Sequence, residues 1–170
     1  MTAATFQSGI NITLGFGIPG ELIVDGPQRV DVLTLDAVGG SIGYAFTKSN
    51  TTNVATMGGA IVDGTSIFAG ILVNPKVYAS YGVSGGNPLD PTMYLQGNSQ
   101  GEFLTMGTIV VTVIGSANIG DLVVYDETTG ELAAIAPGAS PDAGYGLVPN
   151  AVIWNYPTSG TGLTAIRITD

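Results

Sequence analysis

Short runs of β-branched and other apolar residues, each cut off by glycine or proline after about eight to twelve residues, most narrow what this 170-residue chain can fold into. Thr108-Ile-Val-Val-Thr-Val-Ile114 is the strongest run. It is far too short for a membrane helix of ~20 residues, and its turn-bounded, β-branched content reads as a mostly buried strand. Leu122 to Asp126 and Glu131 to Ile135 follow, separated by Glu-Thr-Thr-Gly, where Gly130 can take the left-handed conformation that closes a short hairpin loop. The spacing predicts three consecutive antiparallel strands across 108–135.

The same signals recur along the chain. Ile10–Leu14, Arg29–Leu35, Ser41–Thr47, Ala60–Ser66, Ile67–Val73, Gly146–Trp154 and Gly162–Thr169 read as further strands, the last strictly alternating. Thr92–Leu95 fits one helical turn or an edge strand, and Gly101–Met106 leads into the 108–135 segment. Residues 76–91 have no periodicity and dense breakers, which predicts a long loop or a joint between two β subdomains. Residues 1–8 are small and polar apart from Phe6 and read as an arm. The expected fold is therefore all-β: a sandwich or barrel-like antiparallel domain over 9–170, with an extended N-terminal arm and room for a small second β subdomain at the 76–91 loop. Glycine and proline exceed a fifth of the residues, but an apolar share of 45% supplies a core and argues against disorder.

Charge and chemistry point away from several functions. Only 10% of the residues are charged, and thirteen acids face four bases, Arg29, Lys48, Lys76 and Arg167. Four bases cannot build the phosphate-facing stripe that nucleic acid requires, so no nucleic-acid partner is expected. So charge-poor a surface implies that part of it lies in an interface. Neither cysteine nor histidine occurs. Disulfides, thiolate metal sites and the common Ser–His and Cys–His nucleophiles are thereby excluded. The N-terminus has no basic segment followed by an apolar one, which predicts synthesis in a cytoplasm without a secretory signal and without membrane insertion.

Three local patterns invite chemistry. Gly15, Gly17 and Gly20 spell the dinucleotide fingerprint, but Pro19 and another strand-like run stand where that motif needs a helix, so a Gly-Pro turn is the reading. Glu21, Asp25, Glu102 and Asp121 could supply the carboxylate pair of a glycosidase, yet acids beside glycines are ordinary turn residues. Asp121, Asp126, Glu127 and Glu131 form an acidic cluster with no EF-hand spacing, and the last three suit a solvated hairpin. No enzyme activity, cofactor or metal is expected. Trp154 and the seven tyrosines serve equally as core or interface anchors and as a sugar-stacking platform.

The order of segments adds to this. Gly15-Phe-Gly-Ile-Pro-Gly-Glu21, Asp25-Gly-Pro-Gln-Arg29, Ile42-Gly-Tyr-Ala-Phe46, Ala69-Gly-Ile-Leu-Val-Asn-Pro75 and Ile119-Gly-Asp-Leu-Val-Val-Tyr-Asp126, with Thr129-Gly-Glu-Leu132 behind them, resemble the structural cement, or capsid decoration, proteins of tailed bacteriophages. The likeness spans about residues 15–168 and rests on Gly/Pro spacing with apolar fill. It implies a non-enzymatic virion protein, made in the host cytoplasm, that binds the outer surface of an icosahedral capsid. Its implied partners are the major capsid protein and further copies of itself, as a homodimer or homotrimer. Contact candidates are Phe6 in the arm, Phe16, Ile18, Pro19, Glu21 and Arg29 in the 15–29 turn region, and Tyr78 and Tyr81 in the long loop. The competing expectations are a carbohydrate-binding or adhesin module built on Trp154, and another virion part such as a tail-tube subunit.

Overall fold

The computed structural model describes residues 17–74 and 93–169. Twelve strands and no helix occur among them: β1 (Leu22–Ile23), β2 (Arg29–Leu35), β3 (Gly39–Ser41), β4 (Ala45–Ser49), β5 (Val54–Met57), β6 (Ser66–Leu72), β7 (Tyr94–Gln96), β8 (Gln100–Ile114), β9 (Leu122–Asp126), β10 (Leu132–Ile135), β11 (Tyr145–Asn155) and β12 (Gly162–Ile168). The fold is all-β. The proposed strand at 10–14 and the 76–91 loop lie outside the described residues.

The organising element is β8, which at 15 residues reaches about 50 Å. It joins two segments that the sequence presents as separate, 101–106 and 108–114, through Gly107. There φ is +131°, a conformation that favours glycine. A register shift against β2, where Arg29 faces Met106 but Val30 faces Leu104, adds a bulge beside that glycine. Together they bend β8 so that each half belongs to a different layer of strands. Along one edge, β2 pairs with 100–106 and β12 with 107–113, end to end. Along the other, β6 pairs with Leu104 and Phe103, while β1 and β10 pair farther along.

Both edges lead back to β8. The pairings β8–β10–β9–β11–β12–β8 close a five-stranded barrel. A second circuit runs β8–β2–β5–β4–β6–β8. Strand directions cannot alternate all the way round a ring with an odd number of members, so each circuit must contain a parallel pair. The barrel places it at β10–β8, with Leu132 beside Val113, and the second circuit at β2–β5, with Thr34 beside Val54. This corrects the expected meander: β9 and β10 form the hairpin, but β8 and β9 are not neighbours, because β10 stands between them on one side of the ring and β11 and β12 on the other. A separate pair, β3–β7, resolves the choice at 92–95 in favour of a strand.

Two apolar clusters fill the interior, one centred on each circuit, with Ala45, Ile71 and Leu104 of the second circuit joining the barrel's cluster. The barrel holds Ile109, Val111, Val113, Val123, Tyr125, Leu132, Ile153 and Ile166, all buried. The second circuit holds Leu33, Leu35, Phe46, Leu72 and Phe103, with the Phe46 and Phe103 rings edge to face at 5.1 Å. Thr108 to Val111 is buried on both faces because Val110, which points out of the barrel, is covered by the 17–21 turn. Gly20 N–H donates to the Val110 carbonyl, and a side chain at Gly17 would meet the Val110 methyl groups at 3.0 Å.

The β9–β10 hairpin tip links the two circuits a second time. Gly130, at φ +76° as the turn chemistry requires, offers its carbonyl to Ala45 N–H, and the Glu127 carbonyl accepts from Gly59 N–H. The buried Tyr125 hydroxyl donates to the Gly59 carbonyl at 2.8 Å. Residues 60–65 are not the expected strand. Ser66 Oγ accepts from Val62 N–H and donates to the Ala60 carbonyl, and Thr65 N–H closes on the Val62 carbonyl, so local bonds use up the groups a ladder would need.

Candidate contact surface

Several of the acids sit in or beside turns and hold backbone donors, while Glu102 lies within β8. Asp126 accepts from Thr128 and Thr129 N–H, Asp36 from Val38 and Gly39 N–H, and Asp121 from Asn118 N–H. The Thr129 and Thr128 amides hold the Asp126 carboxyl below its usual range. Glu131 meets the Tyr44 hydroxyl and Thr129. Among the described residues no three acids cluster as a metal site would need. In the Gly15/Gly17/Gly20 pattern, no helix follows Gly20. That residue stands at φ +80° where a side chain would collide with Ile42 and the Asn74 backbone.

The open grooves on the described surface include two beside these residues. One, of about 360 Å³, is lined by Asp25, Pro27, Met106, Thr108 and Arg167 among others. Its single carboxylate is ion-paired to Arg167. The Thr108 hydroxyl and then the Arg167 guanidinium hold Asp25 below the usual carboxylate range, against the opposing effect of desolvation. The other, of about 490 Å³, is lined by Pro19, Ile42, Tyr44, Met93, Tyr94 and Thr112, with no carboxylate or base among its lining residues. Neither brings two carboxylates together.

Trp154 is half-exposed, but the Arg167 guanidinium lies 3.5 Å above its ring. Arg167 is anchored in turn by Asp25 and Thr108. One stacking face of the indole is thus already occupied, which weakens the sugar-platform reading.

Of the eight contact candidates, Phe6, Phe16, Tyr78 and Tyr81 lie outside the described residues. Ile18, Pro19 and Glu21 fall in one tight turn, closed by Glu21 N–H to the Ile18 carbonyl and by Ile18 N–H to Glu21 Oε2. Ile18 is exposed there, while Pro19 and Glu21 are partly covered. Arg29 is exposed at the start of β2, with Nε donating to Thr105 Oγ1 at the β8 bulge, and is not part of that turn.

What sequence reading missed is a set of β-branched residues stranded in turns. Val24 is 85% exposed, Val38 70%, Ile119 59% and Val62 50%. Each is followed by Gly or Asp-Gly: Val24-Asp-Gly, Val38-Gly, Val62-Asp-Gly and Ile119-Gly. That pairing is the readable signal, since a turn carries its side chains outward and an aliphatic there cannot reach the core. The described surface thus carries exposed aliphatic side chains at several of its turns.

Comparison with known proteins bears on this surface. The model of the structural cement protein family (E217 gp24/Pam3 gp6) matches residues 6–169. A chain from the solved capsid of Myoviridae phage XM1 has a similar fold, with a TM-score of 0.69 at 16% identity, over 98% of this chain and 99% of that one. No curated protein sequence matches.

Proposed function

Because this chain belongs to the phage structural cement protein family, we propose that it is a non-enzymatic virion protein that binds the outer face of the capsid and clamps neighbouring capsomers. The observation that carries the reading is the family match over nearly the whole chain. The surface supports it. A cement protein needs a body that does not deform under load, and two strand circuits joined through β8 and the β9–β10 hairpin supply one. It needs contacts that survive desolvation, and turn aliphatics such as Val24, Val38 and Ile119 offer apolar area with few charges to strip of water.

In this reading the major capsid protein is the partner, and copies associate as a homodimer or homotrimer around local symmetry axes, so that modest contacts add by multivalency. The arm (1–8), the turn region with Ile18, Pro19, Glu21 and Arg29, and the tyrosines Tyr78 and Tyr81 contribute contacts alongside the turn aliphatics. Net charge of −9 discourages adhesion to nucleic acid released from broken heads. The test is cosedimentation of the purified protein with expanded heads, with its copy number measured by mass spectrometry. Saturation at a copy number on the scale of the shell protein is expected. Binding to glycan arrays that is lost on Trp154→Ala, without head binding, would instead favour the adhesin reading.

A further inference from the structure

The chain contains two Asp-Gly pairs, Asp25-Gly26 and Asp63-Gly64, the sequence most prone to spontaneous backbone isomerisation. In that reaction the glycine amide nitrogen attacks Cγ of the protonated aspartic acid. The carboxyl hydroxyl and the amide proton leave as water, and a five-membered imide forms. Water then adds back, and opening at the α-carbonyl leaves the chain running through the side-chain carbonyl. The composition is unchanged, and no reagent other than solvent water is consumed.

The two pairs share an uncrowded glycine. A side chain built on Gly26 or on Gly64 would meet nothing within 4 Å, so neither glycine is crowded by packing, although Gly64 stands at φ +75° and its carbonyl accepts from Asn50 Nδ2. They differ at the carboxylate. Asp63 is exposed at the tip of the 60–66 loop, and no donor among the described residues holds its carboxylate. Asp25 is tethered by the Arg167 guanidinium, which is itself sandwiched against Trp154 and bonded to Thr108. That ion pair limits the rotation of the Asp25 side chain. It also favours the ionised form, which is the unreactive one, consistent with the lowered titration of this group.

We propose that Asp63-Gly64 is the site at which the folded protein isomerises on ageing, and that the Arg167–Thr108 tether protects Asp25-Gly26. The product inserts a methylene into the main chain between Val62 and Thr65, whose hydrogen bond closes the loop tip, and so alters the turn that presents Ile61 and Val62 to solvent. The inference does not depend on the proposed function.

The full chain is aged in warm, mildly acidic buffer, folded and in denaturant. Isoaspartate is then located by enzymatic carboxyl methylation and peptide mapping. The folded protein is expected to accumulate it several-fold faster at 63 than at 25, the two sites converging in denaturant. Arg167→Met should raise the rate at 25 and leave 63 unchanged. Equal rates in the folded protein, absence of isoaspartate at 63, or an equal disparity in denaturant would each overturn the proposal. The wild-type comparison decides the matter even if the Arg167 variant folds poorly.

Discussion

Tyr125→Phe removes a single oxygen at the joint between the two strand circuits. The Tyr125 ring belongs to the barrel core, and its hydroxyl donates to the Gly59 carbonyl, on the side of the second circuit, at 2.8 Å. Deleting the donor leaves a carbonyl without that partner, at a cost of about 1–2 kcal/mol. For a chain of this size each kcal/mol moves Tm by about 2–4 °C, so a fall of about 2–8 °C is expected at neutral pH. A second signature separates this bond from general loosening. Burial, and then the nearby Glu127 charge, push the Tyr125 hydroxyl up to about 12 from an ordinary 10.0. Because the folded value is the higher one, its stabilisation is complete below pH 10 and is lost as pH rises through 12. The phenylalanine variant lacks that loss. Thermal melts followed by circular dichroism should show wild type above variant at neutral pH and the gap shrinking between pH 10 and 12; the other tyrosines contribute equally to both. Identical melts at neutral pH, or a gap constant with pH, would refute the assignment.

Phe103→Ala should cost about 3–5 kcal/mol in denaturant unfolding, since the ring is fully buried. A double-mutant cycle with Phe46→Leu should show about 0.5–1.5 kcal/mol of coupling from the edge-to-face pair. Gly40→Ala places a methyl 2.2 Å from Phe46 Cζ, and because Phe46 is fully buried the ring cannot swing clear, so a loss of about 1–3 kcal/mol is expected from the same measurement. Asp126 titrates below its ordinary 3.8, so its contribution is complete above pH 3.8 and lost as pH falls through the lower folded value. Asp126→Ala should flatten that acid limb of the stability curve, and an unchanged limb would show that the Thr128 and Thr129 amides do not depend on it.

Much of the fold is legible in the residues. The strands at 29–35 and 162–168, the β-branched run at 108–114 and Gly130 in its hairpin appear where the sequence predicts them, but neither strand keeps its alternation: Val32 is exposed, and Thr164, Ala165 and Ile166 are all buried. Partners are another matter. Periodicity says which face of a strand is buried, and it says nothing about which strand lies beside it. The parallel closures at β10–β8 and β2–β5 follow from having five members in each ring, which no local window contains. Gly107 reads locally as a break, yet in the fold it bends one strand through two circuits. At 60–66 apolar Ile61 and Val62 imitate a strand, but Ser66 captures the backbone groups first. Absence of histidine and cysteine was the most informative chemical signal, because it removed most catalytic arrangements without reference to geometry. Contact residues were harder to read, since an aliphatic in a turn looks like a frayed strand end until its exposure is known.

The claim that this chain is a cement is tested most directly by the temperature at which expanded phage heads rupture, measured with and without bound protein. Rupture is predicted to move to higher temperature as the bound protein approaches saturation, and to return to the bare-head value when it is stripped. Heads that saturate with the protein yet rupture at the same temperature as bare ones would contradict the account.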